Sequence, residues 1–554
     1  MGGPFDIGSG VGGSRVIGGS LASELASRSL RARVEMNFNG EGWVDVSSDV
    51  VSVVKATWGI HGSTPLDRIA DPGTMGFDLD NSSNNAGGIR GYYSIGNQAA
   101  RSGFAIGVEA RLVLVHPFYG EKAVWVGTVE SALPVPGASN PITTVSCADW
   151  MEEAARAKLA GLPVQTDIQS DALFSLLIAA VERQPPNGVL VGTGSDVYPF
   201  ALDNTQDESS RVLGEIQKLS MSEFGLAYVS AGVAVFEGRK RRGGAGSIRF
   251  AMHEDEQIIG MTVSHGRDDI VNRVQVSIHP RRRDAAATTV LFTLGSAIEI
   301  PRQTAVVLNC PYRDPNQQAQ RVGGVDMVQP VATTDYLFNE LADGSGVDRT
   351  SQLTVTAVYG GNSAEVTITN NGPQDGFIPG GELRFRGRGL YDFEPVLSDQ
   401  SDADSLSAFG ENVLGYDMPY QSSPANALDL AVFILSLNKD ESTRVLTVTF
   451  LANWDDETAE QAFNAQISDR ISVTSPSLGM VAEPFFINGV SLEVEPSGLV
   501  QVTWDLAPVS KAQFWILDEP GRTELDETTV LGYGLFATGW ILDASTLGTD
   551  TFLN

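Results

Sequence analysis

From Arg33 onward, apolar and polar residues alternate. Arg33-Val34-Glu35-Met36-Asn37-Phe38 has the two-residue period of a half-buried strand. Asn39-Gly40-Glu41-Gly42 supplies a turn from residues that tolerate positive φ, and Trp43–Val50 resumes the alternation. Further strands are predicted at Thr74–Leu79, Phe104–His116 and Ala123–Val129. Short strands separated by turn signals, with almost no helix, predict a closed or sandwiched antiparallel sheet, a first β-barrel-like domain over residues 33–145. Residues 1–32 precede it as a glycine- and serine-rich N-terminal arm with a short helix predicted at Leu21–Ala32. An arm that orders against a partner and a frayed terminus are both open readings.

The period then changes. Ser146-Cys147-Ala148-Asp149 matches a capping box and predicts a helix through Ala160. A second helix, Gln169–Arg183, carries Leu173, Leu176, Leu177, Ala180 and Val181 at helical spacing, and Pro185-Pro186 ends it. A third, Asp207–Ser220, has Val212, Leu213, Ile216 and Leu219 on one face. A hairpin follows, Leu226–Val229 and Val233–Phe236 around Ser230-Ala231-Gly232, so residues 146–250 read as an α+β domain.

Short β runs return over 251–350, with clean alternation at Val271–Ile278 and a proline- and glutamine-rich excursion over 310–345. This stretch contributes to a second β-barrel-like domain, residues 351–510. There Leu353–Tyr359 and Ala364–Thr369 predict a hairpin, Glu382–Gly387 a strand, Pro424–Leu437 a helix with proline in its first turn, and Arg444–Leu451, Ile467–Val473, Phe485–Val490 and Leu499–Leu506 further strands. Residues 511–554 form a C-terminal tail with a weak duplication, Phe514-Trp515-Ile516-Leu517-Asp518 echoed by Gly539-Trp540-Ile541-Leu542-Asp543. Trp515, Leu517, Trp540 and Leu542 are its candidate docking residues, against a neighbour or against the chain's own domain. The expected fold class is mainly β with α+β insertions, multidomain.

Composition narrows the function classes. The 554 residues exceed one core, and 42% hydrophobic content suits globular domains. A net charge of −31 disfavours non-specific adhesion to DNA or anionic membrane, yet suits the wall of a channel along which a polyanion slides. No apolar run reaches the roughly 18 residues that a membrane helix needs. The N-terminus lacks a basic segment followed by an apolar core, so synthesis in a cytoplasm without a signal peptide is expected. Cys147 and Cys310 are the two cysteines; one disulfide is conceivable, and buried free thiols are expected.

Four motifs, in order, carry a resemblance. Trp43-Val44-Asp45-Val46, with Thr74–Asn81, Val108–His116 and Trp125-Val126-Gly127-Thr128-Val129, is similar to the first domain of tail hub (minor tail, baseplate hub) proteins of tailed bacteriophages. A helix followed by a hairpin, with Leu213, Ile216, Gly225, Tyr228, Gly232, Phe236 and Arg239 at the matching positions, resembles the middle of those proteins. Asp404-Ser405-Leu406-Ser407-Ala408-Phe409-Gly410 is similar to a stretch before a late helix, with Phe409 replacing a tyrosine and Asp402 restoring the spacing. Ile467-Ser468-Asp469-Arg470-Ile471-Ser472-Val473 resembles a late strand. The resemblance implies a structural role: a homotrimer whose two barrel-like domains alternate around a pseudo-sixfold ring at the virion tail tip, and which opens for DNA ejection. It implies as partners a distal tail protein ring, the tape-measure protein, and tail fibre or receptor-binding proteins. It implies no cofactor; no membrane insertion is expected because no apolar run is long enough, and no specific nucleic-acid binding because the basic runs lack an aromatic platform and sit in an acidic domain.

Candidate chemistry is sparse. His61, His116, His253, His265 and His279 form no zinc motif. His253-Glu254-Asp255-Glu256 would alternate its faces in a strand and reads as a solvated loop. Asp78-Leu79-Asp80-Asn81-Ser82-Ser83-Asn84 spaces its oxygens like a calcium loop but has Ser83 and Ile89 where glycine and glutamate belong. No phosphate loop or nucleophile elbow occurs, and no catalytic, cofactor or metal residue is assigned. Two basic runs stand out, Arg239-Lys240-Arg241-Arg242 and Arg281-Arg282-Arg283. Arg239, Arg241, Arg242, Arg281, Arg282 and Arg283 are candidate subunit-contact residues, since arginine's planar fork suits carboxylates of an acidic neighbour. The alternatives are a secreted or surface carbohydrate-binding or adhesive β protein and a tail-associated cell-wall hydrolase.

Overall fold

The computed structural model describes residues 30–137, 140–159, 162–203, 210–242 and 247–509, with the strand pair 513–514 and 529–530. The chain is mainly β, in several sheets and several cores. The body opens with β1 (Arg31–Asn37), β2 (Trp43–Asp45), β3 (Val54–Gly59), β4 (Thr74–Asp80), β5 (Glu109–His116), β6 (Gly120–Val135) and β7 (Ile142–Ala148). Alternating burial along β4 and β5 shows the period read from the sequence.

Helix α1 (Trp150–Arg156) differs from expectation. β7 continues through Ser146 and Cys147, and Asp149 is the cap, accepting from the Met151 amide at 2.9 Å. The sheet ladder takes up the backbone that the Ser146 box would have needed. Then come β8 (Gln165–Gln169), α2 (Ser170–Ala179), β9 (Val189–Val191), β10 (Val197–Ala201), α3 (Val212–Glu223), β11 (Leu226–Ser230) and β12 (Val233–Glu237). α2 stops short of Arg183, and α3 runs past Ser220 to Glu223; residues 207–209 of the third expected helix lie outside the described residues.

β13 (Phe250–His253) and β14 (Ile258–Ser264) are followed by β15 (Arg273–Ile278), β16 (Arg281–Arg283), β17 (Thr289–Thr293), β18 (Ile298–Ile300), β19 (Ala305–Pro311), β20 (Gly323–Val328), β21 (Leu353–Tyr359), β22 (Ser363–Asn370), β23 (Gly376–Ile378), β24 (Arg384–Asp392), β25 (Val396–Ser401), α4 (Ala403–Phe409), β26 (Val413–Met418) and α5 (Pro424–Asn438). The chain ends its core with β27 (Arg444–Leu451), α6 (Asp456–Asn464), β28 (Arg470–Ser475), β29 (Met480–Val494) and β30 (Val500–Pro508). The 310–345 excursion contains a strand, β20, which pairs with β24. Strands β16 to β24 enclose their own core around Leu291, Tyr312, Phe338, Val366 and Phe385. That lobe hangs between β15 and β25, which pair antiparallel with each other. α5 packs Ala427, Leu430, Ala431 and Ile434 on the same small sheet, against Val274, Val276 and Ile278.

One sheet joins the two ends of the chain, in the order β14-β27-β30-β29-β3-β4-β7-β6-β5-β1-β2. It curls twice. The Val46 amide bonds Val34 of β1 on one side, and Val50 bridges Leu79 of β4 on the other. Four residues reach at most about 14 Å. A flat sheet would separate those two positions by six strand spacings, about 29 Å. Segment 43–59 therefore closes β1-β5-β6-β7-β4 into a barrel-like module. Segment 250–264 does the same at the other end: the Glu254 amide bonds Thr474 of β28, and Ile258 pairs with Phe450 of β27.

The two modules repeat one topology. In each, a closing segment is followed by four strands, β4-β5-β6-β7 or β27-β28-β29-β30, with the same antiparallel neighbours. In each, the third strand is long, 16 residues in β6 and 15 in β29, and has a bulge against the strand that follows, at Val129/Ser131 and Ile487/Gly489. β1 is the extra strand of the first module. The modules meet where β3 pairs with β29, Val54 to Gly59 against Val494 to Gly489. At that joint Gly59 has φ +88°, and a Cβ there would lie 2.7 Å from the Asn488 carbonyl oxygen, so only glycine lets the two strands approach.

Candidate functional site

The first arginine run leaves β12 on a short 3-10 turn, Arg239–Arg241. Arg239 turns inward. Its guanidinium donates to both oxygens of Asp196 at 2.7 Å and to the Glu223 carbonyl at 3.1 Å, and lies 3.8 Å from the Glu223 carboxylate. Glu223, fully buried at the end of α3, also accepts from Ser170 Oγ and from the amides of Ser195 and Asp196. Burial raises the Glu223 carboxyl above its usual range, and Arg239 partly offsets this. Burial alone would lower Arg239, but Asp196 and Glu223 outweigh it and leave the value raised. Gln421, just before α5, donates to Asp196 at 3.1 Å, so the cluster ties the helical region to the second half.

The helix–hairpin motif is explained by the same geometry. Tyr228 donates to Glu237 at 3.0 Å, Phe236 stacks on Phe174 at 5.1 Å, and Arg239 closes the ion cluster. Gly232 sits at φ +78° beside Ala231 at +49° in the two-residue turn, where a Cβ would meet Pro186 Cγ at 3.0 Å.

Arg242 donates to Ser468 Oγ at 2.9 Å and Asn488 Oδ1 at 2.6 Å, beside the joint of the two modules, and burial lowers it to about 10. Arg281 pairs with Asp203 and lies 3.3 Å from Asp392. Arg239, Arg242 and Arg281 thus serve contacts within the chain. Arg241, Arg282 and Arg283 are exposed. Arg241 is 3.8 Å from Glu237, while Arg282 lies over Tyr391 at 5.1 Å and Arg283 over Phe200 at 5.8 Å. The sequence showed the arginines but not Asp196 and Glu223, because nothing local marks two carboxylates that meet only after folding. Trp515, Leu517, Trp540 and Leu542 lie outside the described residues.

A small cleft is lined by Glu109, Thr128, Asp149, Glu153 and Arg183. Burial raises Asp149 to about 7, but its carboxylate is already engaged as the cap of α1. Glu254 is held by Ser475 and Ser477, and Asp78 by Thr144. Among the described residues, no group of three or more His, Cys, Asp or Glu is placed to hold a metal ion. Among them, too, no helix is long and apolar enough to cross a membrane. Cys147 and Cys310 are both buried free thiols, in separate cores.

No protein-family profile matches this chain. No curated protein matches it either. Solved structures do. A 43 kDa tail protein of prophage MuSo2 from Shewanella oneidensis is 9% identical, with a TM-score of 0.47, over 86% of this chain and 99% of that one. A tail protein from Neisseria meningitidis is 9% identical, with a TM-score of 0.45, over 86% and 96%. Prophage tail protein gp18 from Listeria monocytogenes is 8% identical, with a TM-score of 0.38, over 86% and 94%. These three structures are tail proteins, and other solved structures that match are a Francisella PdpA-VgrG complex and the E. coli c3393 protein, a component of the type VI secretion system.

Proposed function

We propose that the protein is a structural, non-enzymatic component of a phage tail tip: a homotrimeric hub that joins the tail tube to the tip and surrounds the path of the ejected DNA. The observation that carries this is the repeated module. One chain holds two barrel-like units of the same topology, side by side through β3 and β29. Three such chains present six similar units, which suits a body set between a sixfold tube and a threefold tip. The net charge of −31 suits a wall that DNA slides past without sticking. The lobe of β16–β24 has its own core, and is a place for tip or receptor-binding partners to attach. The distal tail ring and the tape-measure protein are the partners on the tube side. Exposed Arg241, Arg282 and Arg283 remain the candidates for charged contacts between subunits. The test is native mass and imaging: three copies with six lobes of density around a channel are expected, and a monomer absent from virions overturns the reading.

A further inference from the structure

The joint between the two modules has a counterpart that the single chain leaves open. In the first module, the second half of the closing segment, β3, pairs with β4 on one side and with β29 on the other. β29 receives it on the edge that β28 has just vacated: β28 covers Met480 to Phe486, and β3 covers Gly489 to Val494. The second module has the same donor and the first module the same acceptor. β14 pairs with β27, and its other edge meets no strand among the described residues. β5 covers β6 from Gly120 to Thr128, and no strand among the described residues covers Glu130 to Val135 on that edge.

We propose that copies of this chain join by strand addition, β14 of one protomer lying antiparallel along residues 130–135 of β6 in the next, as β3 lies along β29 within one chain. This rests on the trimeric reading above and names its surface and partner, a second copy of the chain. Free strand edges recruit strands, and an apolar one left bare is an aggregation hazard. Both edges are apolar and bare: Ile259 and Val263 are each 42% exposed on β14, and Leu133 and Val135 are 61% and 47% exposed on β6. By analogy with Val54 against Val494, the Ile258 end of β14 meets Val135 and the Ser264 end meets Glu130. Pro134 can sit in β6 only with its ring nitrogen turned from the ladder, so the joint lacks one donor there, which penalises any strand whose other contacts do not match. Donor and acceptor are different surfaces, so the contact is heterologous, and with a threefold rotation between copies it closes as a ring of three.

The test uses the full chain and two double variants, Ile259→Lys/Val263→Lys and Leu133→Lys/Val135→Lys, weighed by native mass spectrometry. The wild type is expected at three times 59.0 kDa. Each variant alone is expected at one copy, with unchanged circular dichroism. An equimolar mixture of the two is expected at two copies, because one intact donor then meets one intact acceptor. A variant that still weighs three copies, or a mixture that stays at one, overturns this pairing and leaves the trimer standing. A wild type of one copy overturns the trimer itself. Hydrogen exchange on the wild type needs no substitution: amides of 258–264 and 130–135 are expected to slow on assembly, and unchanged exchange in an assembled trimer refutes the pairing.

Discussion

Replacing Arg239 by methionine would leave two carboxylates facing each other in the interior. The Arg239 side chain is 5% exposed, Asp196 9% and Glu223 0%. Removing one partner of a buried ion pair costs about 3–5 kcal/mol, because the remaining charge stays desolvated. Here Glu223 keeps three donors and Asp196 keeps Gln421, which places the expected cost near the lower end, about 3 kcal/mol. In a cooperative unit of about 150–250 residues, each kcal/mol moves the melting point by about 2–4 °C, so a fall of about 6–12 °C is expected by differential scanning fluorimetry. The pH dependence gives the sign. Glu223 already has a raised value in the fold, so its stability contribution is present at acid pH and lost as pH rises through that value. Without Arg239 the value rises further, and the deficit of the variant should shrink between pH 8 and pH 5. Arg241→Met, at a side chain 58% exposed, is the control and should lie within about 0.5 kcal/mol of wild type. A methionine at 239 that melts within 2 °C of the control (about 1 kcal/mol or less), or a deficit that grows toward acid, refutes the reasoning.

Asp149→Asn should keep the helix cap while removing a carboxyl that burial raises to about 7; the wild type should lose stability from about pH 4 to 7 relative to this variant, and Asp149→Ala should lose about 1 kcal/mol, both read from urea melts. Gly59→Val should open the β3–β29 joint, with strain of about 1–3 kcal/mol before any clash is counted, and hydrogen exchange should quicken in both strands. Burial raises both thiols, Cys310 to about 12, so a thiol reagent should react with neither in the native protein and with two after denaturation; a disulfide in the purified chain would contradict the separate cores.

Local pattern was legible where local forces decide the outcome. Leu353–Tyr359 alternates in burial, Arg444–Leu451 is a strand as read, and α5 starts at Pro424, where a first-turn proline places it. Ser146 misled because a strand ladder outranks a capping side chain, and Asp149 served the helix one turn later. The run of strands over 353–392 read as part of the second barrel, yet those strands pack in the separate lobe, and the second module is drawn from 250–264 and 444–508. Strand type shows in a sequence, but the choice of neighbour across hundreds of residues does not. For the same reason, three of the six arginines could not be told from their neighbours: Arg239, Arg242 and Arg281 are defined by Asp196, by Ser468 and Asn488, and by Asp203, which come to them only through the tertiary fold.

The lobe of β16–β24 is tethered through Ile278 and Val396, which face each other on adjacent strands. Its entry and exit points are therefore one strand spacing apart, about 5 Å. Two anchors so close together constrain the length of chain between them very little. Apart from the pairing of Arg281 with Asp203 and the packing of Val325 and Leu390 on Val164 and Phe200, the lobe can gain or lose residues at its far end without disturbing the small sheet that carries it.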